Sequence, residues 1–159
     1  MLVLGDGKLG LLCAQVLALT GARVTLIGRH PSKFGLVKKL GIRTLLLSDW
    51  RPQLADIVVE ATGSTSGLEM ALSAVRPRGT LVLKSTLAEN HTLSLAPLVI
   101  NEINVVGSRC GLFPPALDAL AQKKISVTPM IEKIYPLTEG VDAVGHAGRA
   151  GTRKVLLRA

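Results

Sequence analysis

The chain has 159 residues, the length of one ordinary domain, of which 48% are hydrophobic and 19% are charged. This balance excludes an intrinsically disordered chain, and 16 Gly and 8 Pro without any period exclude a collagen-like or low-complexity one. The formal net charge of +8 favours an anionic partner, namely nucleic acid, acidic lipid or a phosphorylated small molecule.

Short apolar runs alternate with helical patterns along the first half of the chain. Strands are predicted at 2–4, 24–27, 44–47, 56–60 and 80–83. Helices are predicted between Leu9 and Gly21, between Pro31 and Gly41, and through Leu68, Leu72 and Val75 to a stop before Pro77.

The second half is less regular. An irregular loop is expected at 84–96, strands at 103–106, 131–135 and 155–157, and helices at 114–122 and 138–147, the last with Thr138 as its N-cap. Alternating strands and helices indicate parallel strands joined by right-handed crossovers, and strands without polar alternation are buried on both faces. The prediction is therefore a single α/β domain over residues 1–159 with a doubly wound parallel sheet.

A glycine-rich hexamer lies between the first predicted strand and the first predicted helix. Gly5, Gly7 and Gly10 form a G-x-G-x-x-G pattern, in which they serve respectively the tight turn, the approach of a pyrophosphate and close helix packing. The unpaired N–H groups at the start of the helix would face the phosphates. The pattern predicts a dinucleotide site; the alternative is a structural turn that binds no ligand.

The end of the second predicted strand bears on which dinucleotide is bound. An NAD site usually has Asp or Glu there to hold the ribose hydroxyls, whereas this chain has Gly28, Arg29 and His30. Arg29 could pair with a 2′-phosphate, with help from His30 and Lys33. NADP is therefore favoured over NAD; otherwise Arg29 is a solvated loop residue.

Four segments carry a resemblance to a known family. Residues 3–15, 58–63, 105–108 and 151–157 resemble, in order, the cofactor-binding Rossmann domain of zinc-type alcohol dehydrogenases in the medium-chain dehydrogenase/reductase superfamily. The resemblance covers nearly the whole chain. It implies hydride transfer between an alcohol and a nicotinamide cofactor in a full enzyme, and leaves the substrate open.

The resemblance also implies roles for residues along the carboxyl ends of the strands. The pyrophosphate loop would be Gly5, Gly7 and Gly10, with backbone amides from Lys8 and Leu9. The adenosine half of the cleft would be bordered by Gly28, Arg29, Lys33, Ala61, Thr62 and Gly63. The nicotinamide half would be reached by Lys84, Ser85, Thr86, Ser108, Arg109 and Cys110, and the phosphates by Arg153 or Lys154.

The resemblance implies that the family's catalytic domain, which carries its zinc ligands, lies largely before the glycine loop. We therefore expect that domain to be absent here, whether the chain is a fragment of a dehydrogenase or the product of a gene reduced to its cofactor domain. The histidines His30, His91 and His146 are isolated, Cys13 lies on a core helical face and Cys110 is a lone loop thiol, so no metal is expected. By itself the chain should bind a nucleotide without reducing a carbonyl. Apolar surface is expected to be exposed near 155–157.

Several expectations concern partners and location. Family members commonly dimerise through an edge strand, here near 103–106, although a loop could cover that strand instead. A stand-alone nucleotide-binding or sensor module is the alternative function. No nucleic-acid motif and no membrane-length apolar run are found, and two unpaired cysteines favour the cytoplasm.

Overall fold

The computed structural model describes residues 1–86 and 92–159. The predicted doubly wound sheet is confirmed: six parallel strands lie in the order β3-β2-β1-β4-β5-β6. These strands are β1 (Leu2–Leu4), β2 (Thr25–Gly28), β3 (Arg43–Leu46), β4 (Ala55–Glu60), β5 (Val75–Leu83) and β6 (Asn104–Gly107). The order reverses between β1 and β4, and ligands of such sheets bind at that point, beyond the carboxyl ends of the strands.

Helices cover both faces of the sheet. Helices α1 (Lys8–Ala18) and α2 (Pro31–Lys38) pack on one face, and α3 (Thr65–Ala74) packs on the other. The chain continues with α4 (Ala96–Ile100), α5 (Phe113–Ala121) and α6 (Gly140–Ala147). Because side chains alternate along a strand, Leu2 and Leu4 of β1 join one core cluster and Val3 joins the other. The first cluster includes Ala71 of α3 and the second includes Leu11 of α1.

A second, two-stranded parallel sheet is built from β7 (Ile131–Pro136) and β8 (Lys154–Arg158). Its anchor is Gln15, a buried polar side chain on α1. The Gln15 amide accepts from the backbone N–H of Ser126 at 2.7 Å and donates to the carbonyl of the same residue at 3.2 Å. Met130, just before β7, completes the core cluster beneath α1. The two-stranded sheet is thus attached to α1, the helix that follows the glycine loop.

The structure differs from the sequence-based elements at three places. Val75 opens β5 instead of ending α3, because it is buried, pairs with Ala55, and is followed closely by Pro77, which disfavours a helix. Thr138 is not an N-cap: a 3-10 turn (Leu137–Glu139) precedes α6, and Glu139 takes the capping position without a side-chain bond.

The loop expected at 84–96 ends earlier than predicted, because Ala96 opens α4. Residues 87–91 of that loop, with His91, lie outside the described residues. Near the end of the chain, Val155 and Leu156 are half-buried and Leu157 is exposed, so the predicted apolar surface is reduced to part of β8. Across residues 1–86 and 92–159, no helix is long and apolar enough to cross a membrane.

Candidate dinucleotide-binding cleft

A cleft of about 260 Å³ opens beyond the carboxyl ends of β1, β2 and β4. Three turns form its walls: the glycine loop, the turn from β2 into α2 and the turn from β4 into α3. Seven residues predicted from the sequence line it: Gly5, Gly7, Gly28, Arg29, Lys33, Ala61 and Thr62. The adenosine half of the predicted site is therefore assembled in one place.

The glycine loop leaves space where a diphosphate would need it. Gly5 has φ 109°, and a Cβ there would overlap the Ala61 carbonyl; a Cβ on Gly10 would overlap the carbonyl of Gly5. A Cβ on Gly7, in contrast, would meet nothing within 4 Å. Two glycines thus permit close packing, while the third borders open space.

The amino end of α1 faces the same opening. Gly7 is its N-cap and supplies no side-chain bond, and the first turn carries no acidic residue. Lys8 and Leu9 occupy the first two helical positions and are exposed. Free backbone N–H groups and the helix dipole make this end suitable for an anion. The residues present therefore fit a dinucleotide diphosphate.

The end of β2 contains a carboxylate that the sequence did not place there. Asp6, from the glycine loop, is buried, and its Oδ2 accepts from the backbone N–H of His30 at 2.6 Å. Its Oδ1 lies 3.0 Å from Nδ1 of the His30 ring. The strand end itself carries Gly28, Arg29 and His30, as the sequence shows, and a carboxylate reaches it from the glycine loop and pairs with His30. Arg29 is exposed and Lys33 half-buried beside them.

The turn after β4 is held by a buried acid. Glu60 Oε1 accepts from both the backbone N–H and the hydroxyl of Thr62, each at 2.6 Å. Ser64 then caps α3 by accepting from Gly67 N–H at 3.1 Å. Gly63 does not line the cleft but donates its N–H to Ser85 Oγ at 2.9 Å, which ties this turn to the end of β5.

The predicted nicotinamide-side residues lie together at the ends of β5 and β6. Lys84 Nζ donates to Ser108 Oγ at 3.3 Å and to the Arg109 carbonyl at 3.1 Å. Neither Ser108 nor Arg109 lines the cleft, and Cys110 beside them is exposed. These residues form a separate group at the same edge of the sheet.

Of the two basic residues near β8, Arg153 approaches the glycine loop. It borders a small hollow shared with Asp6, Lys8 and Lys33, whereas Lys154 is exposed on β8. Glu132 holds it: the Arg153 N–H donates to Glu132 Oε2 at 2.9 Å. This bond, followed by one from His146, lowers the pKa of the Glu132 carboxyl.

Several cleft residues were missed by sequence reasoning. Besides Asp6, the lining includes Leu47, Ser64, Gly67 and Met70, whereas His30 was expected beside Arg29. Glycine at position 67 is explained by the structure, since a Cβ there would overlap the Thr62 side chain in the turn before α3. The others were apolar or small polar residues without a distinctive pattern.

Among the described residues, neither cysteine lies in a group of possible metal ligands. Cys13 is half-buried against the core, where burial raises the pKa of its thiol. In the part of the chain that the structure describes, no three His, Cys, Asp or Glu side chains come together to hold a metal ion. These residues therefore do not fit a zinc site.

Comparison with known proteins adds the family. The sequence profile of the zinc-binding dehydrogenases matches residues 9–122. The chain belongs to this family. It is 26% identical to sorbitol dehydrogenase from Gallus gallus, over 98% of the chain and 48% of that protein. The chain thus spans about half the length of the curated relatives it matches, and corresponds to the cofactor-binding half of zinc-type alcohol and polyol dehydrogenases. A stand-alone module is not favoured.

Solved structures of dehydrogenases share the fold. A zinc-binding dehydrogenase from Sinorhizobium meliloti 1021 bound to NADP superposes with a TM-score of 0.87 at 27% identity, over 99% of this chain and 52% of its own. A short chain alcohol dehydrogenase from Escherichia coli CFT073 complexed with NADH gives 0.85 at 21% identity, over 99% and 51%. The second likeness shows the fold alone. Related dehydrogenases of this fold therefore bind dinucleotide cofactors.

Proposed function

We propose that this chain binds NADP(H) in the cleft and serves as the cofactor-binding half of an alcohol or polyol dehydrogenase. The observation that carries the proposal is the open space beside Gly7, at the uncapped amino end of α1. The diphosphate would lie there, with backbone N–H groups of the loop as donors. When bound, the nicotinamide supplies the hydride chemistry of the full enzyme.

The preference for NADP(H) is argued from the charges of this chain. Of the two cofactor-bound relatives, one holds NADP and the other NADH, so the relatives do not decide between them. Arg29 and Lys33 both line the adenosine end of the cleft, and the nearby carboxylate of Asp6 is buried and paired with His30. The accessible charge at this end is positive, which suits a 2′-phosphate.

The other roles of the site follow the same proposal. Gly5, Gly10, Lys8 and Leu9 shape the diphosphate cradle, and Ala61, Thr62 and Gly63 border the adenosine. Ser108 and Arg109 would meet the nicotinamide half. A catalytic partner domain would supply the zinc chemistry and the substrate contacts, and a second copy would pair along β6, whose four residues are all exposed. The free cysteines suit a reducing cytoplasm.

The test is a titration of the chain with NADPH and with NADH. Trp50, the only tryptophan, lies in the turn after β3. Its backbone N–H donates to the carbonyl of Leu47, a cleft residue, at 3.3 Å. Energy transfer from Trp50 to the reduced nicotinamide therefore reports binding. We expect NADPH to bind more tightly than NADH. Equal binding, or tighter binding of NADH, would contradict the proposed preference, and no binding of either would contradict the site.

Replacing Arg29 by Ala should separate the two cofactors further. Loss of a charge-assisted bond should raise the Kd for NADPH about 10- to 100-fold and change that for NADH less than about threefold. Arg23→Ala is the matched control. It removes the same charge, but Arg23 lies just before the amino end of β2, at the end opposite to the cleft. An equal loss for both cofactors in Arg29→Ala would show that Arg29 does not contact the 2′-phosphate.

A further inference from the structure

The glycine loop carries an acidic side chain that the proposed cofactor contacts do not use. Asp6 lies between Gly5 and Gly7, and its side chain crosses to the end of β2, with 8% of its surface exposed. There it accepts from the backbone N–H of His30 at 2.6 Å and faces Nδ1 of the same ring at 3.0 and 3.1 Å. Three contacts therefore join two turns that are 24 residues apart in sequence.

The end of β2 is shaped to receive this side chain. A Cβ on Gly28 would overlap the side chain of Asp6, so only glycine at that position leaves room for the carboxylate. In NAD-binding sheets a carboxylate near this point accepts from the ribose hydroxyls. Here the carboxylate comes from the glycine loop and is bonded to His30, at the wall of the cleft that both residues line.

Burial and bonding decide between two possible uses of Asp6. A ribose-binding carboxylate must present an accessible oxygen to its ligand, but Asp6 is nearly enclosed and both its oxygens face His30. The turn it holds contains Arg29, and Lys33 follows one helical turn later, bonded to the His30 carbonyl through its backbone N–H at 3.0 Å. Asp6 is therefore placed to fix the position of the two cations.

We propose that Asp6 is a positioning residue for cofactor selection: by binding His30, it holds the turn after β2 so that Arg29 and Lys33 face the 2′-phosphate of NADP(H). This inference rests on the proposed function of the cleft. Asp6 itself makes no contact with the cofactor, so it acts on the ratio of the two affinities through the cations.

The experiment compares Kd values for NADPH and NADH in the purified chain, with the Trp50 signal as readout. Asp6→Ala should lower the preference for NADPH about tenfold, the size of a lost bond to a charged group. Asp6→Asn should keep the preference within about threefold, because its oxygen still accepts from the His30 N–H and its amide can donate to Nδ1 in the other tautomer.

Two further variants complete the design. Asp56→Ala is the matched control, since Asp56 lies near the amino end of β4 and pairs with Arg76 on the surface; it should leave both affinities unchanged. His30→Ala removes the ring contacts but keeps the backbone bond, so it should lower the preference less than Asp6→Ala does. If Asp6→Ala does not fold, the other two variants still test the proposal: the preference for NADPH should fall in His30→Ala and stay within about threefold of the wild type in Asp6→Asn.

The outcomes separate the two proposals. A wild-type chain without a preference for NADPH contradicts the proposed function and this inference together. A wild-type chain that prefers NADPH, with Asp6→Ala and His30→Ala unchanged in that preference, overturns the inference alone. Tighter NADPH binding in Asp6→Asn would show that the carboxylate repels the 2′-phosphate, and a selective loss of NADH binding would show that it holds the ribose; both results also overturn it.

Discussion

The two sides of the molecule, at opposite ends of the six-stranded sheet, differ in how many of their side chains are buried. On the side of the glycine loop, which we define as residues 1–74, α1 and α3 each bury four residues. On the edge side, defined as residues 92–122, α4 and α5 bury none, and every residue of β6 is exposed. Leu112 and Phe113 are each 78% exposed.

The two sides share the same kind of apolar pattern, so the pattern alone does not explain the difference. The glycine-loop side finds its partners within the chain and forms the cleft. On the edge side, Leu93, Leu98 and Ile103 pack against the first core cluster. Exposed apolar patches of this kind commonly mark an interface. The comparison shows that apolar side chains are buried within the chain on one side and remain exposed on the other.

A large effect on both stability and binding is expected in the glycine loop itself. Gly10→Ala should lower the free energy of unfolding by about 3 kcal/mol, because its Cβ would overlap the carbonyl of Gly5, which is backbone and cannot move aside cheaply. Gly7→Ala should leave stability nearly unchanged, since its Cβ meets nothing, but should weaken NADPH binding by filling the diphosphate path. Urea unfolding and NADPH titration of both variants measure the contrast.

If Gly7→Ala binds NADPH as the wild type does, the diphosphate does not pass over Gly7. If Gly10→Ala is as stable as the wild type, the loop is not packed as described. Either result would remove the distinction between the two glycines and weaken the comparison of the two sides.

A smaller effect is expected in the two-stranded sheet, which is attached to the glycine-loop side. The pKa of Glu132 is lowered chiefly by the Arg153 N–H, so its ionised form is favoured in the folded state. A carboxyl with a depressed pKa stabilises the fold above its unfolded value, about 4.3, and this contribution is lost as the pH falls through the folded value. Glu132→Gln should therefore lower Tm at pH 7.

The difference in Tm between wild type and Glu132→Gln should shrink as the pH falls from about 4.3 through the lower folded pKa of Glu132, below which both side chains are neutral. Thermal unfolding followed by circular dichroism across this range measures it. A constant difference at all pH values would mean that packing, and not the charge of Glu132, holds Arg153. Glu139→Gln is a suitable control, because Glu139 is exposed in the turn before α6.

The smallest effect on stability is expected on the edge side. Phe113→Ser should change the free energy of unfolding by no more than about 0.5 kcal/mol, because the ring is already exposed. Leu11→Ala, its counterpart in the buried core, should cost about 2–5 kcal/mol. If Phe113→Ser proves as costly as Leu11→Ala, the edge side is packed within this chain and the two sides do not differ.

The glycine loop could be predicted from sequence because it depends on neighbouring residues. Three glycines at a strand–helix junction define the turn, and the parallel direction of the strands follows from the alternation of strands and helices. Val75 was assigned wrongly because local helical spacing favoured α3, whereas its pairing with Ala55 decides its place in β5. Local propensity gave way to a tertiary contact.

The parts that could not be predicted depend on contacts between distant residues. Asp6 occupies a position of the glycine hexamer to which the motif assigns no role, and its contact with His30 is visible only in the folded structure. Likewise, Gln15 reads as a polar residue on a helix, but its partner Ser126 lies 111 residues away. Neither partner could be named without the arrangement of the strands and helices.

The most direct test of the central claim is a crystal structure of the chain with NADPH. The diphosphate should lie beside Gly7 at the amino end of α1, with the 2′-phosphate near Arg29. A nucleotide bound elsewhere, with the cradle empty or closed by side chains, would contradict it.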